Sequence, residues 1–152
     1  MDVDFLGSCD RMYSSAIILN SNQEYYTSCY LSGYVVECYL KHLILSYGVK
    51  EDGSDYTVGD IKSKYVHKIH QLISDLQDYI NLSNNIPVSC RIDLNIVCKT
   101  ICIGTGGHPK WDPKYRYGEH PAWNDKSYSD SYIRELNQLH DALLYLRTGG
   151  VI

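Results

Sequence analysis

The segment from Gln23 to Tyr47, QEYYTSCYLSGYVVECYLKHLILSY, decides the fold class of this chain. Its apolar side chains recur every three or four residues, which places them on one face of an α-helix. It is the most apolar helical pattern in the chain, so we expect this helix at the centre of a bundle. Gly33 would cost about 1 kcal/mol relative to alanine in a helix, which predicts a close crossing by another helix there. The apolar stripe comprises Tyr26, Cys29, Gly33, Val36, Leu40, Leu43 and Tyr47.

Short sequence signals are present at both ends of this predicted helix. Ser21 with Glu24 three residues later is typical of a capping box, in which the hydroxyl and the carboxylate each bind a backbone amide at the helix start. Gly48 follows the last apolar position, where glycine favours the left-handed conformation that ends many helices. The sequence therefore predicts a helix over about 23–47 with a defined start and end.

Four other segments show the same helical spacing, and no segment shows the alternation of a β-strand. The polar segment 49–65 has two glycines and predicts a surface loop. The segment 104–124 is long and aromatic, and loops of this kind are either functional or packed by their own rings. We predict one all-α domain over residues 1–152, an up-and-down bundle of about five helices with this aromatic loop before the last helix. The other four helices are predicted over about 3–20, 67–82, 88–103 and 127–147.

The composition is that of an ordinary globular domain. The 152 residues are 44% apolar and 21% charged, and a chain of this length buries roughly two thirds of its unfolded surface. The formal net charge of −4 argues against a general nucleic-acid binder. Residues 88–117, however, hold five basic and two acidic side chains. This basic strip either holds one phosphate-bearing ligand or is a solvated loop with its normal charge.

The six cysteines and the N-terminal sequence bear on the compartment. No Cys-x-x-Cys pair occurs, and most cysteines lie in apolar runs, where a free thiol behaves as a small apolar side chain. The N-terminal MDVDFLGSCD lacks the apolar core of a signal peptide, and no apolar run approaches the ~18 residues of a membrane span. We therefore expect a cytoplasmic protein with free thiols and no membrane partner.

Several patterns suggest a ligand site, but each has an ordinary structural explanation. The glycine-rich GTGGHPK from Gly104 to Lys110 invites comparison with a phosphate-binding loop, although the preceding strand and the Gly-Lys-Ser/Thr ending are missing, so a plain helix stop is expected. Histidines and cysteines occur in pairs without the tight spacing of a zinc site, so we expect no metal and no cofactor. The sets considered were His67 with His70, and Cys98 and Cys102 with His108.

Tyrosine is abundant, with fifteen residues in the chain. Tyrosine rings can stack on nucleic-acid bases. Five of them, however, surround the central helix, and such a girdle is more typical of core edges and subunit contacts. These five are Tyr25, Tyr26, Tyr30, Tyr34 and Tyr39.

Two pairs of ionisable residues are candidates for function. Glu37 and Lys41 are four residues apart in the central helix, where a buried charge needs a partner, so the pair predicts an interface or a site. Arg134 and His140 lie in the last helix, and six steps of 100° place them about 120° apart. They therefore converge only through a dimer, a kink or a neighbouring element.

Three segments, in this order along the chain, resemble motifs of the HEPN domain family. The first, from Tyr30 to Lys41, contains a Glu-x-x-Leu-Lys signature like that of the family's second helix. The second, HQLISDL at 70–76, is similar to the opening of the family's next helix. The third, WDPKYRY at 111–117, looks like the Trp/Pro…Arg-Tyr element that some subfamilies carry before the last helix.

This resemblance implies a five-helix bundle that forms a homodimer and binds a nucleotide or RNA. Many members are metal-independent ribonucleases of toxin–antitoxin and antiphage systems, and others are partners of minimal nucleotidyltransferases. We therefore expect a binding module for nucleotide, RNA or a nucleotidyltransferase-type partner. The alternatives are a metal-independent ribonuclease and a purely structural interaction protein.

The resemblance also implies site residues. Active members use Arg-x(4–6)-His, which Arg134 and His140 satisfy, although Glu135 follows the arginine where a polar residue is common. Arg116 and His120 are the alternative catalytic pair, one residue short of that spacing. In the binding module, the residues expected near the cleft are Glu37, Lys41, Arg116 and Tyr117.

Overall fold

A computed structural model describes residues 3–82 and 85–148 of the chain. Within these ranges the protein is helical, and the single β-type contact is an isolated bridge between Val49 and Asp55. The predicted all-α bundle is confirmed. The helices are α1 (Phe5–Ser21), α2 (Tyr25–Tyr47), α3 (Val58–Lys64), α4 (Ile69–Leu82), α5 (Leu94–Val97), α6 (Lys99–Cys102) and α7 (Lys126–Arg147), with 3₁₀ turns at Val88–Cys90 and Pro113–Tyr117.

The central helix of the bundle is α2, as its apolar pattern predicts. Helix α1 runs antiparallel to it, because the Ser28 hydroxyl donates to the Ala16 carbonyl at 2.7 Å while the Cys9 thiol donates to the Val35 carbonyl at 3.3 Å. Eleven residues of α2 are buried, so this helix forms much of the core.

The closing helix α7 packs against both α1 and α2. Near the start of α7, the Ser129 hydroxyl donates to Asn20, and near its end Arg147 donates to Asp10. The order of these contacts makes α1 and α7 antiparallel. Asp125 begins α7 by accepting a hydrogen bond from the Tyr128 amide at 2.9 Å.

Both predicted end signals of α2 are wrong. Ser21 is the last residue of α1, and its hydroxyl donates to the Ile17 carbonyl at 3.0 Å instead of capping α2. Glu24 precedes α2 without a side-chain cap. Gly48 has a φ of −74° and is extended rather than left-handed. Its role is steric, because a Cβ there would lie 2.6 Å from the Ile44 carbonyl oxygen.

The predicted loop 49–65 contains a short helix that sequence spacing did not reveal. Thr57 and Asp60 form a reciprocal capping box at the start of α3. Ile61 and Tyr65 are fully buried and attach this segment to the core. The chain thereby returns along α2, so that α4 runs parallel to α2.

The predicted helix over 88–103 is broken into a 3₁₀ turn, α5 and α6. The chain leaves helical conformation at Cys98, which has φ −113° and ψ 46°. β-branched residues recur through this run and restrict χ1 in a helix, which weakens a continuous helix. Asp93 caps α5 by accepting from the Asn95 amide at 2.9 Å.

The close approach at Gly33 involves a ring rather than a helix. A Cβ on Gly33 would overlap the indole of Trp111, which belongs to the aromatic loop. The Trp111 indole nitrogen donates to the Tyr30 carbonyl at 3.0 Å. Glycine at this position therefore lets the aromatic loop lie directly on α2. Among the described residues, no helix has the length and apolar character needed to cross a bilayer.

Candidate functional site

The aromatic segment 104–124 is packed by its own rings. Trp123 is fully buried, and its ring stacks on His120 with centroids 4.7 Å apart and planes 11° apart. The Tyr26 hydroxyl of α2 donates to the Tyr115 carbonyl at 2.6 Å and accepts from the His120 amide at 2.9 Å. These contacts attach the aromatic segment to α2.

His120 is held inside this packing by both ring nitrogens. The Ala122 amide donates to Nδ1 at 3.1 Å, so Nε2 carries the proton and donates to the Pro109 carbonyl at 3.1 Å. Burial lowers the pKa of His120, and the charge of nearby His108 acts in the same direction. In this arrangement neither nitrogen is free for a substrate. Arg116, its predicted catalytic partner, is exposed.

The predicted pair Glu37 and Lys41 forms, and the structure adds a histidine to it. Glu37 is only 2% exposed, and its carboxylate accepts from the Lys41 ammonium at 2.6 Å. His67 Nδ1 lies 3.2 and 3.3 Å from the two oxygens of the same carboxylate. His67 precedes α4 and has a φ of +51°, a conformation that few non-glycine residues adopt.

The Tyr34 ring lies between this cluster and Trp111 of the loop. The Tyr34 ring meets His67 edge-to-face at 5.6 Å and Trp111 at 5.0 Å. Burial raises the pKa of Tyr34, and the positive charge of Arg116 opposes that rise. Tyr117, the other predicted ligand residue, is 81% exposed and stands away from the buried cluster.

Beside this cluster lies a cleft of about 330 Å³ between the start of α4 and the loop segment 110–113. Its polar lining is mainly cationic. Burial lowers the pKa of His70, and the nearby Lys110 ammonium lowers it further. Two lysines and one aspartate give the lining a fixed net charge of 2 − 1 = +1, which favours an anion in the cleft. The polar lining residues are His67, Lys68, His70, Gln71, Lys110 and Asp112.

The predicted catalytic pair of α7 is not brought together within one chain. Arg134 is exposed, and its guanidinium donates to Ser131 one turn earlier at 3.0 Å. The His140 ring stacks on Tyr13 of α1 at 5.5 Å, and its buried Nδ1 finds no partner among the described residues. The two side chains therefore lie on different faces of α7, as the helical spacing predicts.

Glu135, the acidic neighbour of Arg134, is turned inward. Its carboxylate accepts from the Thr100 and Ile101 amides, each at 3.1 Å, and so caps the start of α6. Burial raises the pKa of Glu135, and these hydrogen bonds oppose the rise. Its carboxylate therefore serves a structural purpose.

The candidate metal ligands are dispersed. Cys98 and Cys102 are buried, and burial raises the pKa of both thiols, in Cys102 to about 12. Within residues 3–82 and 85–148, no group of three or more ligating side chains comes together. The glycine run instead forms turns, with left-handed Gly104, Gly106 and Gly107 directly after α6.

Sequence spacing predicts the pairing of Glu37 with Lys41 but not the contact between His67 and Glu37. Glu37 and Lys41 are neighbours on one helix, so their pairing follows from a four-residue step. His67 is thirty positions away from Glu37, and no local pattern links the two. The turn before α4 brings them together, which only the folded chain shows.

Comparison of this chain with the profiles of known families, with curated proteins and with solved structures finds no match.

Proposed function

We propose that this chain is a HEPN-like helical module that binds a nucleotide or RNA in the cleft between the start of α4 and residues 110–113. The observation that carries the proposal is the cationic lining. Lys68 and Lys110 supply fixed positive charge, His70 and Gln71 supply hydrogen-bonding groups, and Asp112 is the one carboxylate of the described lining.

The Asp112 carboxylate is already used in part as a hydrogen-bond acceptor for the protein backbone. Its carboxylate accepts from the Lys114 amide at 2.8 Å, at the start of the 3₁₀ turn. The cleft therefore favours anions although the whole chain carries a net charge of −4. Such a site suits a ligand that presents one or two phosphates rather than a long duplex.

The test is fluorescence anisotropy with a labelled oligoribonucleotide and with ATP. We expect Lys68→Glu and Lys110→Glu together to weaken binding by on the order of tenfold or more, because each reverses a charge in the cleft. Lys62→Glu, at an exposed residue of α3 outside the cleft, makes the same charge change and should bind like the parent. Equal weakening by the control, or no binding by the parent, would remove the proposal.

The second candidate function is metal-independent cleavage of RNA by Arg134 and His140. The observation that favours it is the inward position of Glu135, which directs its carboxylate to the α6 amides. Since the two residues face different ways, the site requires a second copy of the chain. Cleavage in EDTA that is lost in Arg134→Ala and His140→Ala, but kept in Arg116→Ala, would support it. Cleavage that survives in both α7 variants would exclude it.

We also propose that the module acts as a homodimer or with a nucleotidyltransferase-type partner, in the toxin–antitoxin or antiphage setting that the resemblance implies. Two exposed apolar side chains, Val88 at 84% and Ile96 at 74%, support an interface on the 88–97 segment. A cytoplasmic location fits the six cysteines, which are all unpaired. Light scattering at micromolar concentration tests the dimer, and a strictly monomeric particle would contradict it.

A further inference from the structure

The chemically most distinctive group of the cleft is the His67 imidazole. Its Nδ1 faces a buried carboxylate, and its side chain is still 44% exposed. A carboxylate only accepts hydrogen bonds, so Nδ1 carries the proton in this contact. In the neutral ring the lone pair then resides on Nε2.

The buried carboxylate beside His67 already has a cationic partner. The Lys41 ammonium already pairs with the Glu37 carboxylate at 2.6 Å, so this buried cluster is balanced without an imidazolium. In the neutral ring, Nε2 is therefore the nucleophilic nitrogen, because the proton on Nδ1 is directed to Glu37.

The backbone at His67 is held in an uncommon conformation to make this contact. A φ of +51° is strained for a non-glycine residue, and such strain persists where surrounding contacts enforce it. Here the contacts are the Glu37 carboxylate and the edge of the Tyr34 ring. The strained residue is therefore the one that presents an imidazole to the cleft.

None of the other five histidines combines these features. His120 uses both ring nitrogens inside the protein, and the Nδ1 atom of His140 is buried without a partner among the described residues. His42 is part of α2, and burial lowers its pKa. His70 shares the cleft, and His108 packs edge-to-face on Tyr128. Neither of these two has a described carboxylate on a ring nitrogen.

We propose that His67 is a phosphoryl-acceptor residue, which takes a phosphoryl group on Nε2 from an acyl phosphate or a nucleoside triphosphate bound in the cleft. This inference rests on the proposed phosphate-binding function. The Nε2 lone pair forms the N–P bond while the bond from phosphorus to the leaving oxygen breaks. The electron pair leaves with the carboxylate or the nucleoside diphosphate, and no proton is transferred.

The surrounding charges suit this step. The ring becomes cationic as the N–P bond forms, and the Glu37 carboxylate stabilises the developing charge through Nδ1–H. Lys68 and Lys110 line the same cleft, so their positive charge favours the entry of a phosphoryl donor. Glu37 is thus a positioning residue that acts through His67.

The experiment incubates the full chain with acetyl phosphate and, separately, with ATP, and measures intact mass and the position of the label. We expect the mass gain of one phosphoryl group, labile in acid and stable in base, on His67. His67→Asn should abolish it, because asparagine tolerates the left-handed backbone but lacks the nucleophile. His108→Asn, outside the cleft, should label like the parent.

Glu37→Gln removes the charge of Glu37 but keeps its hydrogen bond to His67, because the glutamine oxygen still accepts from Nδ1–H. We expect labelling to slow by about tenfold or more. The acid limb of the rate–pH profile should move to lower pH, since removing a nearby negative charge makes the imidazole less basic. A slower rate with an unmoved profile, in a folded variant by circular dichroism, would overturn the positioning role.

Anisotropy on the same samples separates the two proposals. Binding of ATP without a phosphoryl group on His67, with either donor, would overturn this inference and leave the proposed function in place. Absence of both binding and labelling would remove the two together. Label on His70 or His108 in place of His67 would also overturn the inference.

Discussion

The contact between Gly33 and the Trp111 indole determines how the aromatic loop lies on α2. We expect Gly33→Ala to lower the free energy of unfolding by about 2–4 kcal/mol, because the new methyl group would overlap the ring. The indole would have to move and would lose its hydrogen bond to the Tyr30 carbonyl. Urea unfolding measures the change, and quenching of tryptophan fluorescence reports the moved ring.

Gly59 in α3 provides the matched control. A Cβ there meets only the Thr57 hydroxyl oxygen, at 3.7 Å, which is ordinary contact. Gly59→Ala should therefore be neutral or stabilise by up to about 1 kcal/mol, as expected for a helical glycine. Similar destabilisation in both variants would show that the Trp111 contact is not the cause.

His120 predicts a pH dependence of stability. Its pKa is lowered in the folded chain because the ring is buried. As the pH falls below about 6.5, this histidine is therefore protonated in the unfolded chain before it is protonated in the folded chain. The free energy of unfolding decreases over this interval, until the lowered pKa of the folded chain is reached. His42 and His70 have lowered pKa values as well and add to this fall.

The measurement is chemical unfolding at several pH values between 7 and 5. His120→Asn should be less stable than the parent at pH 7, because the stacking on Trp123 is lost. Its stability should also fall less steeply with pH. An equally steep fall in the variant would mean that His120 does not cause the dependence.

At the scale of the residue, the candidate site is only partly predictable from sequence. The four-residue step between Glu37 and Lys41 identifies a buried pair, and the structure contains it. The partner His67 was visible only as half of a metal-ligand pair with His70. Its link to Glu37 depends on a left-handed residue, and although histidine adopts that conformation more often than most side chains, only a small minority of histidines do, so the sequence does not predict it.

Among the helices, α6 depends on a side chain from α7. The Glu135 carboxylate binds two amides at the start of α6, a helix of only four residues. Glu135→Ala should lower the free energy of unfolding by about 1–3 kcal/mol, because buried amides lose their acceptor. Hydrogen exchange of the Thr100 and Ile101 amides should rise together. Glu119→Ala, at an exposed carboxylate, is the control, and faster exchange there as well would contradict the cap.

The elements differ in how well their sequence predicts them. Helices α1, α2, α4 and α7 have long apolar stripes, and each begins and ends within a few residues of its predicted bounds. The broken 88–103 segment has an equally clear stripe, but a tertiary contact competes with it, because the Glu135 carboxylate of α7 accepts from the Thr100 and Ile101 amides. Helix α3 was missed because its two fully buried anchors, Ile61 and Tyr65, lie in an otherwise polar run.

Composition and periodicity predict the fold class of the whole molecule. They do not predict which charged side chains meet in the cleft, which only the structure shows. The basic strip that the sequence places at residues 88–117 is divided in space. Lys110 lies in the cleft with Lys68, which comes from the start of α4 and outside that strip. Lys99 and Lys114 do not line it. A charge count along the chain therefore indicates that cations are present but not which of them converge.

The salt dependence of binding tests this picture of a small cationic cleft on an acidic protein. If Lys68 and Lys110 contact about two phosphates, the logarithm of the association constant for a short single-stranded RNA should fall with the logarithm of salt concentration with a slope near −1.4. Reversing both lysines should flatten the slope, whereas Lys62→Glu should leave it unchanged. Lengthening the RNA should not steepen the slope, because the net charge of −4 repels phosphates beyond the cleft. A slope that grows with RNA length would instead indicate an extended cationic surface and would contradict a site confined to the cleft.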